Sequence, residues 1–359
     1  MLEFQVSKDD FAETRVVEKP VTALAENAVR LRIEVFALTS NNITYASMGG
    51  GELGYWDFFP AGDGFGCPPC WGFAMVEASN VAKIAVGARV YGYFPIGTHL
   101  DVLPAKLSAA GFFDAAPHRK SKSAVYNQYL FTAADPAYDE EREAEQCLFR
   151  PLYATGWWAA DFIQHSDPAP GCVVFSSASA KTALATAHQF KRLSTAKLVG
   201  LTSARNEEYV RGTGLYDQVL AYEAIEDLRA EAPAVFVDFL GRDALTARIH
   251  QLLKPSLSRS VMIGATDWGA KEGGIQIPVV DGSEVTPEFF FVPAYASSRI
   301  KQDGEALQGG MLCDMREFYG ASGKLVTPVR LHGADVVGDS WRRLLQGEVS
   351  PQEGLVHSW

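Results

Sequence analysis

The chain has 359 residues, and 47% of them are apolar, so it is long enough to form two domains with separate hydrophobic cores. Its 43 acidic residues outnumber the 32 basic ones, and the formal net charge of -11 argues against a broad surface for nucleic acid or an anionic membrane. A small molecule is therefore the expected partner.

The first residues, MLEFQVSKDDF, have neither the basic start nor the apolar segment of a secretory signal, and no apolar run approaches the ~18 residues of a membrane span. We therefore expect a cytoplasmic protein. Its five cysteines are too few for a disulfide framework, so reduced thiols are expected. The CxxC formed by Cys67 and Cys70 has no further Cys or His ligand nearby in sequence, and no metal site is predicted.

Residues 1 to about 132 are predicted to be rich in β-strand. The stretches AVRLRIEVFAL and VGARVYGYF alternate apolar and polar side chains and are bounded by Gly, Asn or Pro. An acidic run, DEEREAEQ, then precedes PLYATGWWAADFI, which has helical spacing and large aromatic side chains. This change of pattern indicates a domain boundary near residue 133.

From Cys172 onward, short apolar strands alternate with amphipathic helices; the strands are CVVFS, KLVGLTS, QVLAY, AVFVDFL and SVMIGA. This alternation indicates an α/β domain with a doubly wound parallel sheet covered on both faces. The segment FFFVPAYA, residues 289–296, is interpreted as an apolar edge strand, and such an edge favours a homodimer. A strand in VTPVRL and a helix in ADVVGDSWRRLLQG complete the prediction.

The first strand-to-helix turn, SSASAKTA, lies where backbone N–H groups at a helix N-terminus would meet a dinucleotide pyrophosphate. Such turns normally contain G-x-G-x-x-G, and here small residues such as Ala180 replace the glycines. Ser177, Ser179 and Thr182 provide hydroxyl donors. Lys181 adds a cation where a phosphate would lie. The alternative is a purely structural joint with a solvated lysine.

The second strand ends in LTSARNEE. An NAD-specific site tends to place Asp or Glu at this point to bind the ribose hydroxyls. Ser203 and Arg205 precede any acidic residue here, and an arginine suits the 2′-phosphate of NADP(H). NADP(H) is therefore favoured over NAD(H). The alternative is that Ser203 caps the next helix and Arg205 is solvated.

The order of these segments resembles a medium-chain dehydrogenase/reductase, in particular its zinc-free quinone oxidoreductase branch, over nearly the full chain. AVRLRIEVFALTSNNITYASMG and VEASNVAKIAVGARVYGYFPIGTHLDV resemble parts of the family's GroES-like β-barrel domain, and VVFSSASAKTA lies where the family has a strand followed by G-A-S-G-G-V-G. The resemblance implies a GroES-like domain at residues 1–132, a Rossmann-like nucleotide-binding domain at 133–322, and a return of the chain to the first domain at 323–359.

The resemblance also implies that a nicotinamide lies in a cleft between the domains, bordered by the NNITY turn. Asn42 would orient the ring and Tyr45 would donate a proton, unless Asn42 is a turn former and Tyr45 a packed aromatic. Thr155 and Trp158 lie where the family closes over the nicotinamide, and Gly264, after the fifth strand, would contact the cofactor.

His99, in GTHLDV, is a further candidate catalytic residue, facing the cleft beside Tyr93; the alternative is a structural histidine. The ligand cysteines of the zinc-dependent branch have no counterpart, and no nucleophile elbow, HExxH or P-loop is present. We therefore expect an NADPH-dependent, metal-free oxidoreductase that reduces a quinone or an α,β-unsaturated carbonyl compound. Two alternatives stay open: a non-catalytic NADP(H)-binding sensor, and a non-redox lyase that reuses the cleft.

Overall fold

The protein is described by a computed structural model that covers residues 1–51, 53–62, 64–263 and 277–359. The chain divides into two compact units. The first unit consists of Met1–Leu148 together with Arg316–Trp359, and the second unit consists of Phe149–Met315. Helices α2 (Glu143–Gln164) and α7 (Glu305–Ser322) carry the chain from one unit to the other.

The first unit is built mainly from antiparallel strands. Its elements are β1 (Leu2–Ser7), β2 (Thr14–Glu18), β3 (Val29–Leu38), α1 (Ser40–Ser47), β4 (Phe65–Gly66), β5 (Pro69–Ser79), β6 (Arg89–Pro95), β7 (His99–Val102), β8 (Pro104–Ser108), β9 (Gly111–Asp114), β10 (Gln128–Phe131), β17 (Thr327–His332), α8 (Ala334–Leu345) and β18 (Glu353–Ser358). The main sheet has the order β17-β18-β3-β5-β6-β10-β9-β8, with β7 also paired to β3, and a smaller sheet has the order β2-β1-β4.

Strand β3 organises this unit. It pairs along one edge with β5, and along the other edge with β7 near its start and with β18 near its end. Gly72 of β5 is required here, because a Cβ at this position would lie 2.2 Å from the carbonyl oxygen of Val35. The core includes Phe4, Phe36 and Phe94, all fully buried. The last strand of the chain thus belongs to the same sheet as the third.

The second unit contains a parallel sheet. Its elements are β11 (Cys172–Phe175), α3 (Lys181–Leu193), β12 (Lys197–Thr202), α4 (Glu207–Gly212), β13 (Gln218–Ala221), β14 (Ala234–Asp238), α5 (Asp243–Leu253), β15 (Leu257–Met262), β16 (Glu288–Phe289) and α6 (Val292–Asp303). The strand order β13-β12-β11-β14-β15-β16 is that of a Rossmann-type doubly wound sheet. Ile249 and Leu253 of α5 pack against Val174 and Phe236 of the sheet. The predicted fold class is confirmed.

The strand predicted for residues 289–296 is wrong over most of its length. Strand β16 contains only Glu288–Phe289, and helix α6 begins at Val292. Pro293 lies in the first helical turn, where its missing N–H breaks no hydrogen bond and its fixed φ suits the helix. The edge therefore offers two strand residues for pairing, and the homodimer stays a prediction. Within the part of the chain that the structure describes, no helix combines the length and apolarity of a membrane span.

Candidate functional site

The turn after β11 adopts its shape without glycine. Ser177 has a φ of 46°, in the left-handed region that glycine enters most easily. Its N–H donates to the Tyr222 hydroxyl at 2.8 Å. The N–H of Ala178 donates to the Leu201 carbonyl at 2.9 Å, and that of Ala180 to the Ser177 carbonyl at 2.8 Å. Tyr222 and Leu201, both outside the turn, therefore help to hold a conformation that a serine does not favour.

A buried polar network supports the turn from below. The Ser176 hydroxyl donates to Oδ1 of Asp238 at 2.6 Å and accepts the N–H of Phe239 at 2.8 Å. Oδ2 of Asp238 accepts from the Thr246 hydroxyl at 3.0 Å. Ser176, Asp238 and Thr246 are all buried, so these bonds are made away from water and fix geometry firmly. The ends of β11 and β14, between which the strand order reverses, are joined in this way.

Helix α3 presents a free N-terminus at the same turn. Ala180 precedes the helix and makes no side-chain capping bond. Across residues 1–51, 53–62, 64–263 and 277–359, the N–H groups of Ser179 and Thr182 find no acceptor. Ser179, Lys181 and Thr182 are partly exposed. The helix dipole and the first-turn N–H groups make this end suited to an anion.

The turn after β12 lies beside the turn after β11, because these strands are adjacent and parallel. Ser203 precedes a short 3-10 helix, Ala204–Asn206, and its side chain does not cap that helix. The Asn206 amide donates to the Ser179 hydroxyl at 3.3 Å. The structure therefore brings the segment containing Ser203 and Arg205 next to the Ser177–Thr182 turn.

Tyr222 belongs to this site, although sequence reasoning did not single it out. It follows β13, and its hydroxyl accepts the N–H of Ser177. Burial raises the pKa of Tyr222 to about 12, so the phenol stays neutral. No described group accepts the phenolic proton, which is thus left to bond a further oxygen. Only its position in the sequence could have pointed to Tyr222. It directly follows the third strand of the parallel sheet, and such sheets bind ligands at the carboxyl ends of their strands.

In the first unit, Tyr45 lies at the centre of an aromatic cluster. It is carried by α1 and is 5% exposed. Its hydroxyl accepts the indole N–H of Trp71 at 3.0 Å, and its ring centroid lies 4.7 Å from that of Tyr55 and 5.5 Å from that of Tyr93. Burial raises the pKa of Tyr45 far above its ordinary value. The group is therefore a neutral hydrogen-bond donor.

Asn42 uses its side chain to build α1. Oδ1 of Asn42 accepts the N–H of Thr39 at 2.7 Å while the Thr39 side chain accepts from the first helical turn, forming a capping box. Nδ2 of Asn42 donates to the Pro69 carbonyl at 2.8 Å. The expected NNITY turn is therefore wrong, because this capping makes residues 40–47 a helix. The contacts of Asn42 serve the fold of the first unit.

His99 and Tyr93 lie on strands with different pairing partners. It lies on β7, which pairs with β3, whereas Tyr93 lies on β6, which pairs with β5. Nδ1 of His99 contacts the Thr98 hydroxyl at 2.8 Å, and Nε2 lies 3.3 Å from a carboxylate oxygen of Glu77. These contacts fit the structural alternative for His99.

The remaining candidates of the second unit lie on α2. The Thr155 hydroxyl donates to the Pro151 carbonyl at 3.0 Å, one turn back in the same helix. Trp158 is buried, and its ring meets that of Trp157 edge-on at 4.8 Å. Both therefore have packing or helix-internal contacts. Gly264 lies outside the described residues.

The CxxC cysteines carry no metal-site signature. Cys67 and Cys70 are both fully buried, and burial raises the pKa of each thiol well above its ordinary value. Their Sγ atoms contact the carbonyls of Phe4 and Pro95. In the described ranges, no three His, Cys, Asp or Glu side chains are grouped so that they could hold a metal ion.

Residues 36–350 match the family model described as "Protein of unknown function (DUF2855)". The chain belongs to this family. Comparison with curated proteins gives no match. Because the family match covers most of the chain, both units described above belong to the family's architecture.

Solved structures identify the fold. CurA from Vibrio vulnificus, solved in complex with NADPH, is 14% identical with a TM-score of 0.64, over 100% of this chain and 99% of that chain. The yhdH oxidoreductase from Salmonella enterica, solved with NADP, is 13% identical with a TM-score of 0.57, over 100% of both chains. CurK enoyl reductase is 14% identical with a TM-score of 0.55, over 99% of this chain and 98% of that chain. The fold is that of a medium-chain dehydrogenase/reductase, as the sequence resemblance predicted.

Proposed function

We propose that the protein is an NADPH-dependent, metal-free reductase whose substrate is a quinone or an α,β-unsaturated carbonyl compound. The observation that carries the proposal is the uncapped N-terminus of α3, which lies at the carboxyl ends of the strands of a Rossmann-type sheet. The N–H groups of Ser179 and Thr182 there have no acceptor among the described residues. The NADPH in CurA and the NADP in the yhdH oxidoreductase support the same cofactor here.

The residues of the second unit fit a phosphorylated dinucleotide. The N–H groups and hydroxyls of Ser179 and Thr182, with Lys181, would hold the pyrophosphate. Ser203 and Arg205 would hold the adenosine 2′-phosphate, because the segment that contains them adjoins Ser179 through the Asn206 amide. When bound, NADPH supplies the hydride.

In the first unit, Tyr45 is the proposed donor to the substrate oxygen. Its raised pKa keeps the phenol protonated, so it can donate a hydrogen bond to negative charge that develops on that oxygen. The indole of Trp71 donates to the same hydroxyl at 3.0 Å and so directs the phenolic proton away from Trp71. The substrate gains one hydride and one proton in total.

A nucleotide-binding protein without turnover is the second candidate. It is favoured by the contacts of Asn42, whose oxygen and nitrogen bond to Thr39 and Pro69 of the fold. Such a protein would bind NADPH as tightly as an enzyme but would reduce no member of a carbonyl panel.

The first test is a titration with NADPH and, separately, with NADH, followed by quenching of tryptophan fluorescence. We expect micromolar binding of NADPH, weakened about tenfold by Lys181→Ala and by Arg205→Ala, a change equivalent to about 1.4 kcal/mol. Arg205→Ala should leave NADH binding unchanged. Lys197→Ala is the matched control, because Lys197 begins β12 and so lies at the N-terminal ends of the parallel strands, away from the proposed site. Failure of both nucleotides to bind would exclude the reductase and the sensor alike.

A further inference from the structure

Four tyrosines of the first unit form one cluster, which we term the tyrosine cluster: Tyr45, Tyr55, Tyr93 and Tyr126. The ring of Tyr126 lies 4.8 Å from that of Tyr93, 5.6 Å from that of Tyr55 and 6.4 Å from that of Tyr45, measured between centroids. Trp71 packs against Tyr93 at 4.8 Å. Helix α1, strand β6 and two short 3-10 helices, Tyr55–Asp57 and Ala124–Asn127, thus bring four phenolic hydroxyls into one region.

The hydroxyls of the tyrosine cluster have more protons than acceptors. Those of Tyr55 and Tyr126 share one hydrogen bond at 3.0 Å, and that of Tyr45 accepts from Trp71. The Tyr93 hydroxyl lies near that of Tyr45 without hydrogen-bond geometry and has no partner among the described residues. In that same part of the chain, no carboxylate or carbonyl accepts a proton from any of the four. Unpaired donors therefore collect in one place.

Tyr93 makes this arrangement unusual. Its side chain is fully buried, and buried polar groups are normally hydrogen-bonded, since burial without a partner destabilises a fold. A phenylalanine would fill the same space without that penalty. Trp71 and Tyr126 beside it are partly exposed, so the cluster reaches the surface of its unit. A buried, unpaired donor next to partly exposed rings has the features of a ligand site.

Arg119 packs beneath the tyrosine cluster, but its positive charge is not available to bind an anionic ligand. Its buried guanidinium donates to the Tyr126 carbonyl and lies 5.3 Å from the ring centroid of Phe58, which packs against Tyr93. Its positive charge is paired with Asp114 at 2.9 Å. No net charge is thus offered to a ligand, which favours a neutral acceptor oxygen over a carboxylate or phosphate.

We propose that the tyrosine cluster binds the carbonyl oxygen of a planar aromatic ketone or quinone, with the Tyr93 hydroxyl donating a hydrogen bond to it alongside that of Tyr45. The aromatic rings around it would stack on or meet edge-on the ligand ring. Tyr126, on the short helix Ala124–Asn127, packs against Tyr93 and would have to move aside to admit the ligand. The choice of a carbonyl ligand rests on the proposed reductase function, whereas the binding itself needs no nucleotide.

The test compares 9-fluorenone with fluorene, which has the same ring system without the oxygen, by calorimetric titration of the full chain in the absence of nucleotide. We expect fluorenone to bind at least tenfold more tightly than fluorene. Tyr93→Phe should remove most of this preference while leaving the melting temperature unchanged or higher, because it removes an unpaired buried hydroxyl. Tyr138→Phe is the control, since the Tyr138 hydroxyl donates to Glu143 outside the cluster.

Equal binding of fluorenone and fluorene to the wild type, no binding of either, or an undiminished preference in Tyr93→Phe would each overturn the proposal. Should Tyr93→Phe fold poorly, the wild-type titration decides by itself: equal affinities for fluorenone and fluorene would still overturn the site. Fluorenone binding without NADPH binding would leave this site standing and refute the reductase. NADPH binding without a fluorenone preference would refute this site and leave the proposed NADPH-binding function standing.

Discussion

The N–H of Ser177 donates to the hydroxyl of Tyr222 at 2.8 Å, across 45 positions of sequence. This bond holds Ser177 at a φ of 46°, a conformation in which a non-glycine residue is strained. Strain of this kind is retained only where surrounding contacts determine the conformation. The Ser177 turn is therefore stabilised by tertiary structure, and its cost is measurable.

We predict that Ser177→Gly stabilises the protein by about 1 kcal/mol, since glycine adopts a positive φ without strain. Urea unfolding measures the change. Ser179→Gly is the control: Ser179 does not have a positive φ, so this variant should gain no stability and lose some through added chain entropy. Equal effects of the two substitutions would contradict the assignment of strain to Ser177.

Because His357 is buried without hydrogen-bond partners, we expect the folded protein to lose stability in acid. Both ring nitrogens are buried without a partner, the ring stacks on Phe36, and burial lowers the pKa of His357 to about 4. In the unfolded chain the pKa is about 6.5, so below that pH the unfolded state binds the proton first. Stability is complete above about pH 6.5 and falls as the pH drops towards 4, by roughly 3 kcal/mol in all.

His357→Phe isolates this contribution. Phenylalanine keeps the stacking on Phe36 and removes two unpaired nitrogens, so stability at neutral pH should be equal or higher. The fall between about pH 6.5 and about pH 4 should become shallower, although His250, whose pKa burial also lowers, keeps part of it. Unfolding free energies from urea titrations across this range measure both slopes, and identical slopes would refute the role of His357.

We expect that breaking the buried ion pair of Arg119 lowers the free energy of unfolding substantially. Its guanidinium is 1% exposed and pairs with Asp114 at 2.9 Å. Asp114→Asn should destabilise the protein by about 3–5 kcal/mol, because it leaves a buried charge without its partner. Arg342→Ala is the control, since Arg342 makes ion pairs with Asp339 and Glu348 at the surface and should change the melting temperature little. A small effect of Asp114→Asn would mean that water reaches Arg119.

Sequence periodicity was sufficient for the Rossmann-type sheet, because its buried strands are short, apolar and separated by helices of regular spacing. It failed for residues 289–296, where aromatic residues favoured a strand and Pro293 marked the start of a helix instead. It also failed for NNITY, where the Thr39 and Asn42 capping box is a weaker signal than the usual Ser or Thr with Glu.

Tertiary contacts explain what the sequence could not provide about the site. Ser177, Lys181 and Arg205 could be named as candidates because they follow strand ends along the chain. Tyr222 and Tyr93 could not be named, because their proposed roles depend on a hydrogen bond across 45 positions and on the lack of one in a packed interior. Neither property can be inferred from the neighbouring residues in the sequence.

Tyr45→Phe tests the proposed donor. We expect kcat/KM for an α,β-unsaturated ketone to fall by about two orders of magnitude, because the substrate oxygen loses the hydrogen bond from Tyr45. NADPH affinity should be unchanged, since the proposed nucleotide contacts lie in the second unit. Because burial raises the pKa of Tyr45, the wild-type rate should show no inflection from this group between about pH 6 and about pH 9. Tyr138→Phe, which removes a hydroxyl outside the cluster, should retain full activity; a rate unaffected by Tyr45→Phe would exclude Tyr45 as the donor.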